Sequence, residues 1–195
     1  FVFPLIFLSV LFSGCSSKKD GQIKIGIAKI IQHPALDDIE KGVMDVIKEN
    51  KINAVFDLQN ANGDPNTAVQ IANQYKVKKV DVAVGIATPV AVALATTLKD
   101  IPVVFGTVTD PLGAGLVDTL EHGKNNVTGM SDAIPTVEHI KLFAKVTGIK
   151  KLGYIYTSNE ANSVSALDLV KKGCEEAGLT LVTQAITQSS EVRQA

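Results

Sequence analysis

The chain has 195 residues, 46% of them hydrophobic and 20% charged, with a formal net charge of −1. That is globular composition, long enough for one full domain and part of another. So small a charge leaves no basic face to displace counterions from nucleic acid. With 5% aromatic residues and no Trp, a stacking platform for single strands is excluded too.

The elements begin with a leader. Residues 1–14 are an almost wholly apolar run, too short to span a bilayer but suited to the core of a signal peptide. The run ends Leu11-Phe12-Ser13-Gly14-Cys15 and gives way to a polar tether, Ser16-Ser17-Lys18-Lys19-Asp20-Gly21. Small residues before a Cys, then polar ones, resemble a bacterial lipobox, in which the Cys thiol is acylated; Phe12 stands where Leu is usual. The expectation is a partial signal peptide over 1–14 and a lipidated Cys15 with its tether over 15–21; an ordinary signal peptide with an incidental Cys, or a buried N-terminal strand, is the other reading. An acylated Cys holds a protein to a membrane outside the cytoplasm. The first residue is Phe, with no basic segment before the apolar run, and residues 189–195 read as a capped helix beginning. The chain therefore reads as cut at both ends.

Past the tether, strand and helix alternate. Residues 23–28 form a β-rich run, and helix 35–49 places Leu36, Ile39, Val43, Val46 and Ile47 on one face. Strand 54–58, helix 65–75, strand 80–86, helix 89–98, strand 101–105 and strand 126–130 follow. Apolar strands joined by helices predict an α/β fold with a parallel sheet covered on both faces. The unit then restarts with helix 136–146, strand 151–156, helix 161–177 and strand 180–185. Two doubly wound lobes follow from this, over 22–130 and 136–195, with a crossing at 131–135 and the second lobe incomplete. Cys174 shares a helical face with Leu167, Val170 and Ala177 and reads as a small core residue.

Ligands of such sheets bind beyond the carboxyl ends of the strands. Prolines mark these ends at His33-Pro34, Asp64-Pro65, Thr88-Pro89, Asp110-Pro111 and Ile134-Pro135. Thr88 and Pro89 are the candidate anion site: Thr88 as cap, with the amides of Val90 and Ala91 facing outward. A simple helix cap is the other reading. Asp110, beside Thr109, and Asp132 end neighbouring strands; either is suited to an ammonium group, or to capping and hinge hydrogen bonds. From the second lobe comes the polar loop Ser158-Asn159-Glu160-Ala161-Asn162-Ser163, whose alternative reading is a surface loop with a redundant cap. His33 is placed at the cleft.

Several ordered segments carry a resemblance. They are Ile25-Gly26-Ile27 through His33-Pro34-Ala35-Leu36-Asp37, residues 57–65, Ile86-Ala87-Thr88-Pro89, Val108-Thr109-Asp110-Pro111, residues 126–132 and residues 158–163. From about residue 22 to the end the chain resembles the ABC-transporter substrate-binding proteins of tryptophan and tyrosine uptake. The resemblance implies two hinged Rossmann-like lobes of the type I periplasmic-binding-protein kind, closing over an aromatic or large apolar amino acid. It implies a permease and a cytoplasmic ATPase as partners, a monomeric receptor and no cofactor. A ligand-sensing ectodomain, or a nucleoside or sugar receptor, is open to the same fold.

Enzyme motifs fail on their own residues. Gly129-Met130-Ser131-Asp132-Ala133 lacks the second glycine of a nucleophile elbow. Gly113-Ala114-Gly115 has Asp118 where a dinucleotide loop needs its third glycine, and Gly123-Lys124-Asn125 is no phosphate loop. His33, His122 and His139 have no metal-ligand spacing, so no metal is expected.

Overall fold

A computed structural model describes residues 21–195; the apolar run, Cys15 and all but the last residue of the tether lie outside the described residues. In chain order the elements are β1 (Ile23–Lys29), α1 (Pro34–Glu49), β2 (Ala54–Asn60), α2 (Pro65–Lys78), β3 (Val82–Ile86), α3 (Thr88–Thr97), β4 (Val103–Val108) and β5 (Val127–Ser131). Then come α4 (Thr136–Thr147), β6 (Lys151–Thr157), α5 (Ala161–Ala177), β7 (Thr180–Ile186) and a 3-10 turn over Ser189–Arg193. The first five strands form one parallel sheet in the order β2-β1-β3-β4-β5, and β6 and β7 pair parallel in a second.

The core follows from the strands' alternation. Ile25 and Ile27 on β1, with Val84 and Ile86 on β3, pack under α1. Ala28 and Ala83, on the same strands but the opposite face, pack with Val103 and Phe105 of β4 beneath α2 and α3. Two apolar faces on one strand are what a doubly covered parallel sheet requires. On α1 the packed residues are Leu36, Ile39, Val43, Met44 and Ile47. Val46, expected among them, is 57% exposed, because the contact stripe leans toward Met44.

Local chemistry sets the element ends. His33 Nδ1 accepts from the Ala35 amide at 3.2 Å, and Asp64 Oδ1 accepts from that of Asn66 at 2.8 Å, each just before an N-terminal proline. β3 begins at Val82 rather than Val80. Val80 is claimed by the end of α2, donating its amide to Tyr75 O, while Asp81 Oδ2 accepts from Lys24 N at 2.8 Å. The terminal segment departs from the expected capped α-helix: it is a 3-10 turn with no side-chain cap, and Glu191 instead reaches the amide and hydroxyl of Thr187.

In the second lobe α4 and α5 pack together. A Cβ on Gly173 would meet Ile140 Cβ at 2.9 Å, so the glycine sets their closeness. Leu167, Val170 and Cys174 are buried there, as the helical spacing predicted. No helix among the described residues is long and apolar enough to cross a membrane.

Candidate functional site

β1 has β2 on one side and β3 on the other, so the loops leaving β1 and β3 diverge to opposite faces, and ligands of such sheets bind at this point. Three unusual features sit there. Lys29, the last residue of β1, is only 6% exposed; its ammonium contacts Asp37 Oδ1 at 2.5 Å and Glu40 Oε1 at 3.2 Å. Burial alone would depress the Lys29 pKa, but the bonds to Asp37 and Glu40 outweigh it and hold the ammonium above its usual range. The hydrogen bond from Lys29 in turn holds Asp37 below the ordinary carboxylate range.

The second feature is Ala87, with φ 79° and ψ 153°, a conformation almost reserved for glycine. The third is Thr107, a β-branched residue at φ 56°, where the β4–β5 register shifts. They are joined through Ala87 N, which donates to Gly106 O at 3.0 Å. Strain at two neighbouring strand ends re-aims both loops beyond them.

This geometry corrects the reading of Thr88. The N-cap of α3 is Ala87, which has no side chain to cap with; Thr88 is the first helical residue and is buried. The Ala91 amide does not face outward either, since it donates to Ala87 O at 3.0 Å. The Pro after Thr88 sits one position further into the helix than those after His33 and Asp64, and that shift moves the cap.

Two cavities lie between the lobes. The larger, about 650 Å³, is bounded by Thr109, Asp110, Pro111, Leu112 and Leu120 of the first lobe, by Ser131, Ala133 and Ile134 of the crossing, and by Thr136 at the start of α4. From the second lobe come Tyr154 on β6 and Glu160, Asn162, Ser163, Ser165, Ala166, Asp168 and Leu169 around α5. The smaller, about 390 Å³, runs along α3 from Thr88 and Pro89 to Thr97, closed by Asn159, Glu160 and Ala161. Glu160 lines both.

Five predicted residues thus meet in the larger cavity: Thr109, Asp110, Glu160, Asn162 and Ser163. Thr88, Pro89 and Asn159 meet in the smaller. His33, Asp132 and Ser158 line neither. His33 is spent on capping α1. Asp132 is exposed, its amide donating to Val108 O at 3.2 Å, and the Ser158 hydroxyl donates to Ile186 O at 3.2 Å.

Asp110 is already occupied. Its Oδ1 accepts from Gly113 N and its Oδ2 from Ser165 Oγ, both at 2.8 Å. Ser163 Oγ accepts from Thr157 N at 2.8 Å, fixing the start of α5 to the end of β6. Sequence reasoning missed Ser165, Ala166 and Leu169; with Asn162 they recur at helical spacing, which was the available signal. It also missed Tyr154, an aromatic wall whose hydroxyl is held above its ordinary range by burial. The walls mix apolar and polar side chains and the charge is of one sign: Asp110, Glu160 and Asp168 contribute carboxylates, and no Lys, Arg or His among the described residues lines the larger cavity.

The sequence pattern of the family described as "ABC transporter substrate binding protein" matches residues 24–195. The chain belongs to that family. It is 36% identical over 184 residues to the tyrosine-binding protein of Clostridioides difficile strain R20291, covering 92% of this chain and 53% of that protein. Among solved structures, the Streptococcus pneumonia domain in complex with L-Trp superposes with a TM-score of 0.83 at 36% identity, over 89% of this chain and 60% of its own. The ligand-free, open structure of a substrate-binding protein with adhesive properties from Clostridium difficile gives a TM-score of 0.61 at 37% identity, over 88% and 60%. The chain spans about half the length of the curated relatives it matches. The fold is the two-lobed one of these proteins, as the alternation of strand and helix predicted.

Proposed function

We propose that this protein captures an aromatic amino acid outside the cytoplasm and delivers it to the permease and ATPase of an ABC importer. The observation that carries the reading is the cavity of about 650 Å³ between the lobes, lined by Tyr154, Leu112, Ile134 and Leu169 together with carboxylates. An aromatic side chain gains from the apolar walls, and an ammonium group from the carboxylates. The tyrosine-binding and L-Trp-bound relatives support the aromatic choice.

Residues 22–130 and 136–195 act as the two lobes, and 131–135 as part of the hinge. Ligand bridging the lobes favours the closed arrangement, because it binds that state better than the open one. At matched identity the chain superposes better on the L-Trp complex than on the ligand-free, open structure, which supports a closed arrangement here. Thr88, Pro89, Thr109, Asn159, Glu160, Asn162 and Ser163 bind the ligand, while Asp110 bonds across to Ser165. Cys15 carries the lipid anchor.

Calorimetric titration of the full-length protein tests the reading. L-tyrosine or L-tryptophan should bind tightly, with leucine weaker and nucleosides and sugars silent. Tight binding of a sugar or nucleoside with no response to aromatic amino acids would refute it.

A further inference from the structure

We infer that Glu160 is the group that receives the ligand's ammonium, with Asn162 as a second acceptor beside it. This rests on the amino-acid reading above and replaces Asp110 and Asp132 in that role. The larger cavity has three carboxylates, and two are engaged. Asp110 uses both oxygens, on Gly113 N and Ser165 Oγ. Asp168 Oδ1 accepts from Lys171 Nζ at 2.9 Å. Asp132 does not line the cavity at all. The Glu160 carboxylate has no hydrogen bond or ion pair among the described residues, although it is half-buried and sits where the two cavities meet.

Two residues further on, Asn162 Oδ1 is closed off from solvent and has no hydrogen-bond donor among the described residues. A buried acceptor without a donor is unfavourable, and burying it is tolerated where a bound partner supplies the missing group. Both vacancies are acceptors. What they call for is a group rich in N–H donors, and an ammonium carries three. No basic side chain of the cavity competes for them. Because Glu160 and Asn162 flank the start of α5, the second lobe holds the ammonium, while the loop after β4 is kept in place by Asp110.

The experiment is calorimetry on the full-length protein with two probes, L-tyrosine and its des-amino analogue 3-(4-hydroxyphenyl)propanoate. Wild type should prefer tyrosine. Glu160→Gln should weaken tyrosine about 30-fold or more and leave the analogue unchanged, so the preference disappears. Glu160→Asp, which keeps the charge, should retain part of the preference. Asn162→Leu should weaken tyrosine and spare the analogue, whereas Asn162→Asp should bind at least as well as wild type. Unchanged tyrosine affinity in Glu160→Gln, or equal losses for both probes, overturns the assignment. Should wild type bind neither L-tyrosine nor L-tryptophan, the amino-acid reading itself falls, and this inference with it.

Discussion

Ser165 Oγ donates to Asp110 Oδ2 at 2.8 Å, joining α5 of the second lobe to the loop after β4 of the first. A bond between lobes stabilises the closed arrangement relative to the open one. Gly113 makes room for it: a Cβ there would run into Asp110 Oδ2 and come within 2.9 Å of Asp110 Cγ. Ser165→Ala should therefore weaken ligand binding about fivefold, from the loss of one hydrogen bond worth about 1 kcal/mol. Gly113→Ala should do at least as much by displacing the carboxylate. Small-angle scattering should find both variants more extended without ligand, and wild-type dimensions together with wild-type affinity would contradict the proposed tie.

Ala87 is expected to behave against the usual rule for its substitution. Ala→Gly ordinarily costs about 0.5–1 kcal/mol through chain entropy. At φ 79° and ψ 153° the alanine carries strain of roughly 1–3 kcal/mol, which glycine relieves. Ala87→Gly should leave the urea midpoint unchanged or raise it. A loss of about 1 kcal/mol would show that the alanine is unstrained.

Lys29 neutralises Asp37 and Glu40 at the end of β1. Lys29→Met leaves Glu40 half-enclosed without its cation, and should lower stability by about 3 kcal/mol near neutral pH. The sign with pH follows from the two shifts. The depressed Asp37 contributes stability above its unfolded pKa and loses it as pH falls through the folded one. The raised Lys29 contributes below its unfolded pKa and loses this as pH climbs through the folded one. The gap between variant and wild type should be full from about pH 5 to 9 and narrow at either extreme. Thermal melts giving a gap independent of pH would remove the triad from the account.

Anchoring makes a separate prediction, carried by Ser13-Gly14-Cys15. Cys15→Ser in the full-length protein should move it from the membrane fraction to the soluble extracytoplasmic one. A serine variant that stays with membranes through a high-salt wash would exclude the lipid anchor.

Periodicity and apolar strands made the fold legible: α5 was bounded to the residue, and the parallel sheet followed from largely apolar strands joined by helices. The misreadings came where tertiary contacts override local pattern. Thr88-Pro89 has the look of His33-Pro34, yet one residue of register moves the cap to Ala87, and nothing in the sequence announces a positive φ at an alanine. In the candidate site the polar loop 158–163 was visible as a cluster. Tyr154 and Ser165 were not, because their meeting with Asp110 and Leu112 depends on how two distant units pack. The sequence left Asp110 open to ligand contact or to hinge bonding, and it could not show the hydroxyl 55 residues away that the carboxylate meets.

The most direct measurement of the central claim is native mass spectrometry of the full-length protein, purified without added ligand from cells grown in rich medium. A one-to-one complex whose released small molecule is tyrosine or tryptophan is expected. A sugar, a nucleoside or a non-aromatic amino acid in the cleft would contradict it.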